Sequence, residues 1–242
     1  MNAPDSPPFS PRKRTVVVTG ASGEIGAEIV RHLSESSTRS IAHFHRNQSA
    51  AQLLQNETSC ELRRADLTEE DEVAALFNDL KNLFAVVHCA GIARDSLLWK
   101  QSRADWDETM RVNCNAAFLV VRESLRRLQN GGRLIVLASR VGENGAVGQA
   151  AYAASKAAQI ALVKCAARES RDRRICVNAL CPGVVLSPMT RDLSDNRKAA
   201  LARQSVFDEF GSAKSVASLV SWLLSDAASE VSGQVIHCDS RL

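Results

Sequence analysis

The chain has 242 residues, 45% of them hydrophobic and 24% charged, with a formal net charge of +3. This is the composition of an ordinary soluble globular protein, long enough for one substantial core, and a single domain over residues 14–242 is the simplest reading. The small cationic excess, much of it in Arg12-Lys13-Arg14, argues against nucleic acid as a partner, and no apolar run reaches the length of a membrane span.

Residues 1–13 are proline-rich and predict a flexible tail, without the apolar centre of a signal peptide. Thr15–Thr19 is a β-branched run that predicts a buried strand. Helical spacing of Ile25, Ile29, Val30 and Leu33 follows from Glu24. Ser40–His45 predicts a second strand, Ser49–Gln55 a second helix and Cys60–Arg64 a third strand. Thr68-Glu-Glu-Asp71 fits a capping box, opening a helix that carries Val73, Leu76, Phe77 and Leu80 on one face. Phe84–His88 is a fourth strand.

A long helix is predicted over Asp105–Leu128 and stopped by Gly131-Gly132. Arg133–Ala138 is a strand, Ala150–Arg168 an alanine-rich helix and Ile175–Leu180 a sixth strand. Ala199–Arg203 and Ser215–Leu224 read as helical, and Val235–Cys238 as the last strand. Strands alternating with helices predict an α/β fold of the Rossmann type: one doubly wound parallel β-sheet with helices on both faces. The seven cysteines form no C-x-x-C pair, so neither a metal site nor a disulfide framework is expected. Reduced thiols in the cytoplasm are the expectation.

Thr19-Gly20-Ala-Ser22-Gly23-Glu24-Ile25-Gly26 lies between the first strand and the first helix. Glycines there allow a tight turn and a close approach to a pyrophosphate, with the helix N-terminus supplying N–H groups. NAD-preferring sites carry an acidic residue near the end of the second strand. Here that place reads His45-Arg46-Asn47-Gln48, and Arg46 with Ser22 would suit a 2′-phosphate, favouring NADP(H). A solvated loop charge is the plainer account of Arg46.

Ser139 leaves the end of the fifth strand, and Tyr152 and Lys156 lie four apart on one helix face. A phenol beside an ammonium is easier to ionise than its ordinary pKa of about 10 suggests. Such a cluster suits proton transfer at an oxygen. On spacing alone, a core tyrosine, an exposed lysine and a helix-capping serine fit as well. No G-x-S-x-G elbow surrounds Ser139, which argues against a serine hydrolase.

Together these motifs resemble the short-chain dehydrogenase/reductase family, over nearly the whole chain from Thr15. Thr19, Gly20 and Gly26 match its glycine loop; Asp66-Leu67 is similar to its adenine-contacting pair, and Ala90-Gly91 to the end of its Asn-Asn-Ala-Gly. Asn113 occupies its catalytic Asn position. Ser139, Tyr152 and Lys156 match its Ser and Tyr-x-x-x-Lys, with the family's Ser-to-Tyr spacing of thirteen. Asn178-Ala-Leu-Cys-Pro182-Gly183 resembles the strand end bordering the nicotinamide. Within the family, Pro182–Asp195 and Leu223–Gln234 look most like the 3-oxoacyl-[acyl-carrier-protein] reductases.

The resemblance implies a catalytic set of Asn113, Ser139, Tyr152 and Lys156. Tyr152 would protonate a ketone oxygen, Ser139 would hydrogen-bond it, Lys156 would lower the Tyr152 pKa and hold ribose hydroxyls, and Asn113 would place a water that reloads Lys156. Cofactor contacts would come from Gly20, Ser22, Glu24, Ile25, Arg46, Asn47, Asp66, Leu67, Ala90, Gly91, Tyr152, Lys156, Pro182, Gly183, Val185 and Ser187. Ser187–Gly211 would form a lid. Arg122, Arg126, Arg127, Arg168, Arg171, Arg173 and Arg174 would dock an acidic acyl-carrier protein, unless they only complement helix C-termini. A homotetramer or dimer is expected, or a heteromer with a sister reductase.

The chain departs from the family at Glu24 in the glycine loop, at His88-Cys89 in place of the Asn pair, and at Ser240. Glu24 is expected to point away from the pyrophosphate. These departures leave two alternatives: another dehydrogenase of the family acting on a small or cyclic ketone, or a weakly active subunit that scaffolds a partner reductase.

Overall fold

The computed structural model of the chain describes residues 14–36, 38–185, 195–203 and 205–239. The expected tail over residues 1–13, Ser187 and Ser240 lie outside the described residues. Seven strands form one sheet: β1 (Thr15–Thr19), β2 (Arg39–Phe44), β3 (Glu61–Arg64), β4 (Leu83–His88), β5 (Arg133–Leu137), β6 (Cys176–Pro182) and β7 (Val235–Cys238). Their order is β3-β2-β1-β4-β5-β6-β7, and every neighbouring pair is parallel.

Parallel neighbours need long crossovers. Helices supply them: α1 (Glu24–Ser34), α2 (Gln48–Thr58), α3 (Glu70–Phe77), α4 (Arg103–Met110), α5 (Ala116–Arg127), the short α6 (Val141–Asn144) and α7 (Ala150–Glu169), with α8 (Asp195–Ala202) and α9 (Ala213–Leu224) after β6. Side chains alternate across the sheet. Val17, Ile41, Val86, Leu134 and Val177 pack with Phe77, Val120 and Val163 on one face. Val16, Val18, Ala42, Ala85 and Ile135 pack with Ile29, Leu54 and Val220 on the other. Burial on both faces explains why the strands read as unbroken apolar runs. The doubly wound fold expected from the sequence is therefore the one observed.

Two local differences have physical causes. Thr68 does not form the expected capping box. Its hydroxyl and N–H both donate to Asp66 Oδ1, at 2.8 and 3.0 Å, and the residue before α3, Glu69, makes no side-chain cap. An Asp carboxylate two residues upstream competes for those donors as an Asx turn. The long helix predicted over Asp105–Leu128 is also not continuous. Between α4 and α5 it widens into a π-turn, Arg111–Asn115, in which Ala116 N–H reaches Arg111 O. The fully buried Asn113 sits in that turn. π-Turns inside α-helices frequently mark functional positions.

Strand order reverses between β1 and β4. The crevice outside the strand C-termini at such a reversal is where open α/β sheets bind ligands. The turns after β1, β4, β5 and β6, which carry Gly20, Gly91, Ser139 and Gly183, all leave the sheet at that edge.

Candidate active site

β1 runs into Gly20, whose φ of +67° suits glycine. A Cβ at Gly20 would stand 2.8 Å from Ala90 Cα and N, so this loop meets the turn after β4 backbone to backbone. A Cβ at Gly26 would lie 2.5 Å from Gly20 O, which explains how closely α1 seats on the loop. Gly23 caps α1 without a side-chain hydrogen bond, leaving its first N–H groups unclaimed by a side chain. Such a terminus suits a pyrophosphate. Ser22 and Ile25 are half-buried, and Glu24 is exposed.

His43, which the sequence reading passed over, fixes this loop. Its Nδ1 accepts from Gly20 N–H at 3.1 Å, so its proton sits on Nε2, which donates to Ala65 O at 3.0 Å. Burial lowers the pKa of this imidazole, as its acceptor role requires. Only its place on a buried strand beside the glycine loop could have signalled it.

At the end of β2, Arg46 is exposed and makes no ion pair or side-chain hydrogen bond among the described residues. The side chains of its expected companions are otherwise engaged. Asn47 Oδ1 caps α2 by accepting from Ala50 N–H at 3.2 Å. Leu67 is buried in the core. Asp66 holds Thr68 and lies 3.6 Å from His45 Nε2.

The structure brings Asn113, Ser139, Tyr152 and Lys156 together. Ser139 follows β5; its Oγ accepts from Val141 N–H at 3.2 Å, and its hydroxyl lies near enough to the Tyr152 phenol to favour the phenol's ionised form. Lys156 is only 4% exposed. Its Nζ lies 5.6 Å from the centre of the Tyr152 ring and donates to Leu137 O at 2.6 Å and Gln159 Oε1 at 2.9 Å. Asn113 clamps the segment after β4: Oδ1 accepts from Ile92 N–H and Nδ2 donates to Ile92 O, both at 2.8 Å. Nδ2 also donates to Ser155 Oγ at 3.0 Å. Gly91 lies against this group, since a Cβ on it would be 3.1 Å from Asn113 Oδ1 and 3.6 Å from Lys156 Nζ.

Burial dominates the acid–base character here. It raises the Tyr152 phenol above its ordinary value, against the smaller opposing influence of the nearby Ser139 hydroxyl. It lowers Lys156 to about 8. The expectation that Lys156 makes the phenol easier to ionise is thus not met, because the ammonium is turned toward Leu137 O and Gln159 while desolvation disfavours a phenolate. The departure at His88-Cys89 has a structural answer. His88 is fully buried and its Nδ1 pairs with Thr19 Oγ1 at 2.8 Å, tying β4 to β1. Burial takes His88 down to about 3 and Cys89 up to about 12, so both are neutral near pH 7.

After β6, Gly183 N–H donates to Cys238 O at 3.1 Å, and Val185 bridges to Gly211. The half-buried Pro182 and Gly183 thereby reach the same edge as Ser139. Most of the seven arginines are engaged locally. Arg122 pairs with Glu70 and Arg126 with Glu123, each at 2.5 Å, and Arg174 pairs with Glu230 at 3.1 Å. Arg127 reaches Asn78 Oδ1 at 3.5 Å, Arg173 donates to Leu125 O and Leu128 O, and Arg168 Nη1 lies 3.4 Å from Lys164 O. Arg171 is exposed and has no such partner among the described residues. Those residues contain no cluster that could hold a metal ion, and no helix among them is long and apolar enough to cross a membrane.

A parallel sheet with a glycine loop at its switch point and a Ser–Tyr–Lys cluster beside it defines a nucleotide-dependent oxidoreductase architecture. The chain belongs to the short-chain dehydrogenase/reductase family: residues 20–240 match the family model described as enoyl-(acyl carrier protein) reductase. It is an oxidoreductase of the CH–OH/C=O class. It is 34% identical over 235 residues to the 3-oxoacyl-[acyl-carrier-protein] reductase FabG of Staphylococcus aureus, spanning 93% of this chain and 96% of the relative. It is also 34% identical over 232 residues to the protein of that name from Aquifex aeolicus, spanning 91% and 94%. A crystal structure of a dehydrogenase/reductase from Sinorhizobium meliloti superposes with a TM-score of 0.88 at 29% identity, covering 93% of this chain and 92% of the other.

Proposed function

We propose that the protein is an NADPH-dependent ketoreductase that converts a 3-oxoacyl thioester, carried on acyl-carrier protein, to the 3-hydroxyacyl product. The observation that carries this reading is the convergence of Ser139 and Tyr152 beside the buried Lys156, at the sheet edge that also carries the Gly20 loop. The names of the curated relatives support the thioester substrate. The cytoplasm, as the compartment of acyl-thioester chemistry, and a homo-oligomer belong to the same reading.

The residues present fit the dinucleotide. The Gly20 loop has no room for a Cβ, and the α1 terminus carries no side-chain cap. Ser22 and Arg46 would take the 2′-phosphate, the α1 N–H groups the pyrophosphate, and Lys156 the ribose hydroxyls. When bound, the reduced nicotinamide supplies the hydride. Tyr152 keeps its proton at neutral pH because burial raises its pKa, and it would donate that proton to the ketone oxygen as general acid. Ser139 would share its hydroxyl between the Tyr152 phenol and the same oxygen, stabilising charge that develops there. Asn113 would hold the Ile92 segment against α7, so that the β4 end and the catalytic helix keep a fixed separation.

A panel of acetoacetyl thioesters, cyclic ketones, sugars and an enoyl thioester, each with NADPH and NADH, tests the reading. Turnover of the oxoacyl thioester with NADPH is expected to lead. Preferred reduction of the enoyl substrate, or of a sugar, would replace it. Tyr152→Phe should lower reduction by about 10²–10⁴-fold, the usual worth of a general acid, with NADPH affinity nearly unchanged. Near wild-type turnover in that variant would remove Tyr152 from the mechanism. A protein that binds neither cofactor in a fluorescence titration would favour the scaffolding subunit.

A further inference from the structure

The lysine of the Tyr-x-x-x-Lys pair is held by a residue one turn further along α7. Tyr152, Lys156 and Gln159 stand at i, i+4 and i+7, one face of the helix. Gln159 is only 1% exposed. Both ends of its carboxamide are used. Oε1 accepts from Lys156 Nζ at 2.9 Å, and Nε2 donates to the main-chain carbonyl of Asn113 at 2.7 Å. That carbonyl belongs to the π-turn, where the helix ladder is widened. We propose that Gln159 is a positioning residue of the catalytic centre: its buried amide ties the Lys156 ammonium to the Asn113 carbonyl and so fixes where that ammonium faces the Tyr152 phenol and the cofactor ribose. The proposal rests on the reading of Tyr152 and Lys156 as the proton-handling pair.

The chemistry of the bridge differs from that of the water expected between Asn113 and Lys156. An amide accepts at oxygen and donates at nitrogen but exchanges protons far less readily than water, so this link holds the ammonium rather than reloading it. Lys156 has three donors; Leu137 O and Gln159 Oε1 take two, leaving one for an incoming hydroxyl. The rest of the surroundings do little to stabilise its charge. Tyr152 faces it from α7, Asn113 from the π-turn, His88 and Cys89 from the end of β4 and Cys181 from β6. No carboxylate of the described residues contributes to its electrostatic surroundings. The amide oxygen of Gln159 is therefore one of two fixed acceptors on a buried ammonium, and its removal has to weaken proton binding there.

The test is a ¹⁵N NMR titration of Lys156 Nζ in wild type, Gln159→Leu and Gln159→Glu, without cofactor. Gln159→Leu should weaken proton affinity at Lys156 by about tenfold, and Gln159→Glu, which sets a carboxylate against it, should strengthen it by at least as much. The pH dependence of kcat should move in the same two directions. Should Gln159→Leu fail to fold, the near-isosteric Gln159→Glu alone keeps the comparison. Titrations that coincide in wild type and Gln159→Glu would overturn the role of Gln159. Titrations that move as expected in a protein whose Tyr152→Phe variant reduces ketones at the wild-type rate would instead overturn the catalytic reading on which the role rests.

Discussion

Burying an ammonium that has only neutral acceptors costs folding free energy, and Lys156 carries that cost at neutral pH. Its pKa falls from an ordinary 10.5 to about 8. Between those values the unfolded chain holds a proton that the folded chain has released, so stability rises with pH across the window. Below about pH 8 both states are protonated and the full penalty stands. The slope contributed is at most about 1.4 kcal/mol per pH unit. Cys89 acts oppositely, because its thiol is raised from 9.0 to about 12 and stability is lost as the unfolded thiol ionises. The interval from pH 8 to 9 therefore isolates the lysine best. Denaturant unfolding of wild type and Lys156→Met at pH 7, 8 and 9 should give a difference that narrows as pH rises, with Lys156→Met the more stable at pH 7. A difference independent of pH would mean that Lys156 is not buried as an ammonium. At this scale the sequence displayed residue identity and spacing, which suffice for Tyr152 and Lys156. It did not display desolvation, which decides the direction of the Tyr152 pKa. Gln159 is within reach of the same spacing argument, since i+7 continues the face, but no motif singles out a glutamine inside an alanine-rich helix.

Elements were legible wherever an apolar period persisted. β1, β4 and β5 are buried on both faces and show as uninterrupted runs. The π-turn at Arg111–Asn115 left no trace in the period, because α5 beyond it still buries Ala117, Val120 and Val121. The capping box failed for a similar reason: the competing acceptor, Asp66, lies outside the motif. The glycine loop is where sequence and structure agree most closely, and it carries a prediction. Gly20→Ala places a Cβ 2.8 Å from backbone atoms of Ala90 at a φ of +67°. Backbone on backbone cannot yield by a rotamer change. The variant should lose about 1–3 kcal/mol of stability from strain at this position and at least tenfold in NADPH affinity. Thermal melts with a nicotinamide-fluorescence titration measure both, and wild-type values for both would show that the β1 and β4 turns are not packed as described.

At the scale of the molecule, the doubly wound sheet fixes which surfaces share an end. α7 runs antiparallel to the strands, with Tyr152 near its start and Arg168 sixteen residues on, about 24 Å away at 1.5 Å per residue. The arginines after α7, and those ending α5 before β5, therefore lie at the edge opposite the candidate active site. Linear sequence grouped them as cationic clusters. It concealed both their distance from Tyr152 and their local partners, such as Glu70 for Arg122 and Glu230 for Arg174. Arg171 tests what remains of the docking reading, since it is exposed and carries neither an ion pair nor a side-chain hydrogen bond among the described residues. Its charge can be reversed with little cost to the fold. An acidic carrier protein held at this edge would meet the exposed Arg171 guanidinium directly. Arg171→Glu should then raise KM for a carrier-bound oxoacyl substrate several-fold, more at low salt than at high salt because the contact is exposed, and leave KM for a small free ketone unchanged. Equal changes for both substrates would place the effect in the active site or the fold. No change for either would move the carrier's docking surface to the edge that holds Tyr152.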